Sequence, residues 1–175
     1  NIMLERTKGK YIVTLDPDAR LHAHTLQLLV AFLEITPQAG AVTANLLNVD
    51  GSLQRYFRRR MTPSACFFTT VLGRGIDKYL FALHYYKKYH YEGVDLTHLV
   101  EIEQPAITCL MFRREACGPY IVDPDTPFYF TDVGLCKRIY NNGYKIYLVP
   151  EATATHFKST SFKKSNNVWR TREYY

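Results

Sequence analysis

A five-residue apolar run, Tyr11-Ile12-Val13-Thr14-Leu15, ends on Asp16-Pro17-Asp18, and few backbone arrangements accommodate that pattern. Aromatic and β-branched residues favour a strand, and Pro17 fixes its own φ while pushing Asp16 into the β region. Residues two apart in an extended segment point the same way, so both carboxylates can face one ion. Two anions held together repel unless a cation or a set of donors offsets them. Hard carboxylate oxygens suit Mg²⁺ or Mn²⁺ that also holds phosphate oxygens. Asp-Pro-Asp is equally a good turn, and the local sequence leaves both readings open.

Regular elements follow in alternation. Leu26, Leu29, Val30 and Leu33 repeat at i, i+3, i+4, i+7 and predict an amphipathic helix over 23–35, closed by Pro37. Ala41 to Leu47 predicts a strand, Val49-Asp50-Gly51-Ser52 a turn, and Leu53 to Phe57 a second extended piece. Residues 61–99 predict variable helices and loops, interrupted by Gly73-Arg74-Gly75. Ile107 to Arg113 predicts a strand running into Arg114-Glu115, both arginines anchoring its end to nearby carboxylates. After the aromatic turn Pro127-Phe128-Tyr129-Phe130, the residues Val133, Cys136, Ile139 and Tyr140 predict a helix from Thr131-Asp132 to Asn142-Gly143. Tyr144 to Val149 predicts a strand ended by Pro150, with Ala152 to His156 a further extended piece. This alternation argues for an α/β domain with a mostly parallel sheet flanked by helices.

A chain of 175 residues fits one domain, and 47% hydrophobic content supports a packed core rather than disorder. No stretch reaches the roughly 18 consecutive apolar residues of a membrane span, and no signal-peptide pattern stands at the start. Four cysteines, Cys66, Cys109, Cys117 and Cys136, form no C-x-x-C pair; they read as free thiols of the core in a reducing compartment. The net charge of +6 is concentrated in Arg55 to Arg60 and in Lys158 to Arg172, so an anionic partner is expected. Nucleic acid is one such partner, but no RNP, KH, zinc-finger or helix-turn-helix signature is present. A chain starting on Asn1 and entering a strand within ten residues reads as part of something longer.

Several motifs occur together in one order. They are Gly9 to Asp18; Asp50-Gly51-Ser52-Leu53-Gln54 with Arg58 and Arg59; Thr108 to Glu115; Tyr129 to Val133 with Leu135, Cys136 and Arg138; Gly143-Tyr144; and Val149 to Ala152 with His156. This set resembles the family 2 glycosyltransferases of the GT-A fold, in the branch with bacterial rhamnosyltransferase-like enzymes, over nearly the whole chain. The resemblance implies a Rossmann-like domain lacking its first strands and a cytoplasmic enzyme, with peripheral contact to the inner face of the plasma membrane. Its reaction would be transfer of a sugar from a nucleotide-diphosphate sugar to a hydroxyl of a glycan or lipid-linked acceptor, with inversion, in cell-surface polysaccharide synthesis. By that resemblance, residues 1–60 hold the metal motif, 61–99 the acceptor side, 100–156 the catalytic base and 157–175 a basic, aromatic tail.

Residue by residue, Asp18 with Asp16 matches the metal motif, Asp16 being suited also to ribose or water, and His156 matches a histidine that approaches metal or diphosphate. Lys158 would contact phosphate. Asp132 matches the catalytic base, although an Asp at a helix start is also an ordinary cap. Arg58 and Arg59, with Tyr129, Phe130 and Thr131, would shape the acceptor site. An inverting displacement needs one base and one electrophile for the leaving diphosphate, and no covalent nucleophile.

Thr131 and Gly134 depart from the family pattern, which carries acidic residues there; Thr131 would cap the helix and free Asp132. These departures keep open a catalytically inactive scaffold. The Gln-x-x-Arg-Trp pattern of processive synthases is absent, which favours addition of a single sugar. Donor selectivity is expected to depend on a half preceding Asn1, without which this chain alone would be inactive.

Overall fold

A computed structural model describes residues 1–81, 83–124 and 130–157. Tyr129, Lys158 and the basic, aromatic tail beyond it lie outside the described residues. In chain order the elements are α1 (Ile2–Arg6), β1 (Tyr11–Leu15), β2 (Ala19–Leu21), α2 (Thr25–Ile35), β3 (Ala39–Leu47), β4 (Leu53–Gln54), α3 (Pro63–Thr69), α4 (Val71–Phe81) and α5 (His84–Tyr89). They continue with β5 (Val100–Glu101), β6 (Cys109–Arg113), α6 (Arg114–Cys117), α7 (Thr131–Asn141) and β7 (Lys145–His156).

The sheet is ordered β1-β6-β3-β7-β2, with β4 beside β3 and β5 beside β7. Its centre is β3, buried from Ala39 to Leu46. Strand alternation sorts its side chains between two helical layers. Val42, Ala44 and Leu46 pack with Leu29 and Leu33 of α2 and with Met111, Val149 and Ala154. Ala41 packs on the opposite face with Leu135, Cys136 and Ile139 of α7 and with Leu110, Phe112 and Ile146. Burying Leu29 and Leu33 completely contributes about 1.5–3 kcal/mol each. Helix α7 ends as the sequence predicts, with Gly143 at φ 83° turning the chain into β7.

The sheet is mixed rather than mostly parallel. Only β3 and β7 run parallel, each entering after a helix, whereas β1–β6, β3–β6, β2–β7, β3–β4 and β5–β7 are antiparallel. Most of the antiparallel pairs join strands far apart in the chain; of these pairs β3 and β4 alone form a short return. That hairpin is held by Asp50, whose Oδ1 accepts from the Ser52 amide at 2.9 Å, and it supports a strand of two residues only.

Pro150 does not end the last strand. Its register on β3 jumps from Ala44↔Val149 to Asn45↔Thr153, so Pro150, Glu151 and Ala152 form a bulge. Within it a residue without N–H costs no ladder bond, and the Pro150 carbonyl accepts from Asn45 Nδ2 at 3.2 Å. The bulge divides β7, its first half lying beside β5 and its second beside β2.

Three further expectations are corrected. Gly73 and Gly75 lie inside α4; a Cβ on Gly73 would fall 2.0 Å from the Phe67 carbonyl oxygen, so this glycine allows close helix approach rather than a break. Arg113 pairs with carbonyls, not carboxylates: it donates to Ala39 O at 2.8 Å, Thr36 O at 3.3 Å and Leu33 O, filling the acceptors left at the end of α2. Arg114 likewise donates to the carbonyls of Gly9 and Leu4 and to Thr7. Finally, Cys66 is exposed, because α3 buries none of its residues; the other three thiols are buried.

Candidate active site

The antiparallel pairing of β2 with β7 sets Ala19 opposite His156 and so brings the Asp16-Pro17-Asp18 corner to the end of the last strand. Ligand atoms of Asp16, Asp18 and His156 all lie within 4.8 Å of one another, and all three residues are partly buried. Asp16 is held at its backbone by the Thr108 carbonyl, 3.0 Å away, and its Oδ2 accepts from the Thr108 hydroxyl at 2.7 Å. The Asp18 carbonyl accepts from the Phe157 amide at 2.8 Å, and its carboxylate lies 3.4 Å from His156 Nε2.

Gln54 fixes the histidine. Its side-chain amide nitrogen donates to His156 O at 2.7 Å and to Leu47 O at 3.2 Å, which leaves its Oε1 facing His156 Nδ1 at 3.1 Å. With Gln54 Oε1 as an acceptor, Nδ1 is the ring nitrogen that donates to Gln54, and Nε2 is the one that faces Asp18. The Tyr56 ring lies 5.6 Å from the imidazole. Burial pushes the Tyr56 phenol up, the Asp18 charge adds to this, and Arg58 opposes it.

Burial raises the Tyr89 phenol, Arg58 opposes this as it does at Tyr56, and Asp132 adds to it. The Arg58 guanidinium donates to the Phe57 carbonyl, while its amide bonds Gln104 O. Arg59, by contrast, bonds Glu103 at 2.9 Å and covers the Tyr91 ring, and Arg60 donates its amide to the same carboxylate and stacks on Tyr140.

At α7 the cap position belongs to Phe130, at φ 60° with no capping side chain, so Thr131 is the first helical residue and not the cap. Asp132 sits in the first turn, where the helix dipole favours a carboxylate, and its Oδ1 accepts from the Val133 amide at 2.9 Å. An acid at position 134 would stand i, i+4 from Arg138. Gly134 leaves that place to Asp123, whose carboxylate lies 3.6 Å from Arg138 and 3.8 Å from where a Gly134 Cβ would be.

The sequence alone did not single out Gln54, Thr108, Tyr56 or Asp123. Gln54 had a signal, standing in the short strand after the Asp-Gly-Ser turn; the others reach the site only through strand pairing or loop return.

A family model described as glycosyltransferase like family 2 matches residues 1–175. The chain belongs to that family. Among solved structures, it is similar at TM-score 0.55 and 15% identity to GalNAc-T7, crystallised with UDP, GalNAc and Mn²⁺, over 89% of this chain and 29% of that one. A197 from STIV is similar at TM-score 0.50 and 11% identity, over 89% of this chain and 62% of that one. At such identities the likeness concerns the fold, that of GT-A glycosyltransferases. The chain spans less than two thirds of either structure. No curated protein matches it. No helix among the described residues is long and apolar enough to cross a membrane.

Proposed function

We propose that this domain moves a hexosyl group from a nucleotide-diphosphate sugar to an acceptor hydroxyl, with inversion, during synthesis of a cell-surface glycan. The observation that carries the reading is the convergence of Asp16, Asp18 and His156, whose ligand atoms lie within 4.8 Å of one another. Two hard oxygens and one imidazole suit Mn²⁺ or Mg²⁺, and GalNAc-T7 was crystallised with Mn²⁺ and UDP. A bound divalent ion would neutralise charge on the leaving diphosphate.

The chain's own groups account for the remaining chemistry. The Asp132 carboxylate accepts the proton of the acceptor hydroxyl as its oxygen bonds to the anomeric carbon; the bond from that carbon to the diphosphate breaks, and the nucleoside diphosphate leaves. Arg58 supports an anionic group of donor or acceptor, and Phe130, 58% exposed, offers a face to a sugar ring. Arg59 acts here by holding the Arg58 segment against Glu103.

An inactive scaffold is the competing reading, favoured by Thr131 and Gly134. The Asp123–Arg138 pair weighs against it, since Arg138 keeps an acidic partner. Turnover of candidate nucleotide sugars by the intact enzyme carrying Asp132→Asn separates the two. A loss of about 10²–10⁴-fold in kcat with nucleotide affinity retained supports the base. Unchanged turnover refutes it, and an intact wild-type enzyme that binds UDP with Mn²⁺ but never turns over supports the scaffold.

A further inference from the structure

Asp16 and Thr108 extend the antiparallel register of β1 on β6 by one place. Leu15 pairs with Cys109, so the residue after one strand stands opposite the residue before the other. The Asp16 amide accordingly donates to the Thr108 carbonyl at 3.0 Å, but the Asp16 carbonyl turns away to accept from the Ala19 amide at 3.0 Å, and the ladder ends there. The side chains continue the pairing: the Thr108 hydroxyl lies 2.7 Å from Asp16 Oδ2. An ionised carboxylate only accepts, so the hydroxyl is the donor, and the length is that of a charge-assisted bond.

This bond is hard to exchange for another. Thr108 is 6% exposed, so water does not readily replace Asp16 as the acceptor. Its side chain is β-branched and stiff at χ1. The turn that carries it is tied to β1, because the Thr14 hydroxyl lies 2.7 Å from the Ile107 carbonyl and 3.2 Å from that of Leu110. One residue therefore holds Asp16 at its amide and at Oδ2, and Oδ1 is the oxygen left to an ion. An ion that took both oxygens would have to share Oδ2 with the Thr108 bond or swing the carboxylate out of it. Ca²⁺ accepts a carboxylate through one oxygen or both and fills a large, flexible shell. Mg²⁺ and Mn²⁺ suit a near-octahedral shell, in which each carboxylate contributes a single oxygen.

We propose that Thr108 confines Asp16 to one ligand oxygen and thereby biases the site toward Mn²⁺ or Mg²⁺ over Ca²⁺. Thr108 is a positioning residue, since it acts through Asp16 and does not touch the ion. The proposal rests on the reading of Asp16, Asp18 and His156 as the ligands of a divalent cation, and adds what makes that cluster selective.

Calorimetric titration of the full chain with MnCl₂ and, separately, with CaCl₂ tests it. The wild type is expected to favour Mn²⁺. Thr108→Val keeps the shape and the backbone bond but removes the donor; it should lower the preference for Mn²⁺ over Ca²⁺ at least about tenfold, the worth of an outer partner of a ligand, whereas Thr108→Ser should keep it within about twofold. Thr108→Ala carries the same expectation as the valine variant if melting shows the latter unfolded. A folded variant without the hydroxyl whose preference stays within about twofold of the wild type overturns the proposal, even where both ions weaken together, because a merely structural role costs both alike. An equal loss in Thr108→Ser assigns the effect to packing of the methyl group and overturns it too. These outcomes leave the metal cluster standing. A wild-type chain that binds neither ion overturns the cluster itself, and this proposal with it.

Discussion

Replacing Gln54 with Leu isolates the group that orients His156. Gln54 is 2% exposed and serves three partners: it donates to His156 O and Leu47 O and accepts from His156 Nδ1. Loss of the two donated bonds leaves two partly buried carbonyls without a donor, a cost of about 1–3 kcal/mol each, reduced where water can enter. A net loss of about 2–3 kcal/mol would lower Tm by about 5–10 °C for a domain of this size. Loss of the Nδ1–H acceptor frees the imidazole to rotate, and removal of such an outer partner weakens metal binding about 10–100-fold. Titration with Mn²⁺ by calorimetry reads the second effect, and thermal melting reads the first. Gln54→Glu supplies the contrast. It retains an acceptor for Nδ1–H but sets a buried carboxylate against two carbonyl oxygens, so it should bind Mn²⁺ better than the Leu variant while being less stable. A folded Gln54→Leu protein with Mn²⁺ affinity within about twofold of the wild type would refute the orienting role.

Arg113→Met should cost about 2–4 kcal/mol in urea denaturation, because charged hydrogen bonds to the Leu33 and Thr36 carbonyls at the end of α2 and to the Ala39 carbonyl of β3 are lost together; Arg113→Lys should recover only part, lacking the planar fork. The His90 imidazole is lowered from its ordinary 6.5, mainly by burial, with Arg58 and Arg74 adding to this and Glu92 and the Tyr86 carbonyl opposing it. Its stability contribution is complete above 6.5 and is lost as pH falls through the lowered folded value; if acid melting curves of wild type and His90→Asn coincide through that window, the assignment fails. Burial holds the Cys109 thiol up at about 11 and raises Cys136 and Cys117, so iodoacetamide at neutral pH should label Cys66 alone in the native protein and all four in denaturant.

Local patterns were enough to expect β1, α2, β3 and α7, because burial of one face imposes a period on the sequence wherever an element rests on the core. Leu29 and Leu33 lie in the stripe that predicts α2, and both are fully buried. Gly143 stops α7 through its own backbone freedom, which needs no partner. The same logic misread Pro150 and Gly73. A proline normally ends a strand and two nearby glycines normally break a helix, but the bulge opposite Asn45 and the close pass of Phe67 made each residue suitable where it stands.

What the sequence determined by itself was that Asp16 and Asp18 follow a strand end, the family resemblance, and the arrival of Asp132 in a helix's first turn; that the two aspartates sit in a turn, the Ala19 amide donating to the Asp16 carbonyl at 3.0 Å, came from the structure. The first and last of the three depend on residues within a few positions of one another, so local geometry suffices; the resemblance depends on the order of motifs along the chain, which needs no folding to read. Only the tertiary structure decided that His156 meets Asp18, that Gln54 and Thr108 hold those two ligand groups, that Asp123 reaches Arg138, and that the sheet is mixed. These follow from strand register and loop return, where contacts between distant segments are chosen by the burial of the whole sheet and leave no period in the chain.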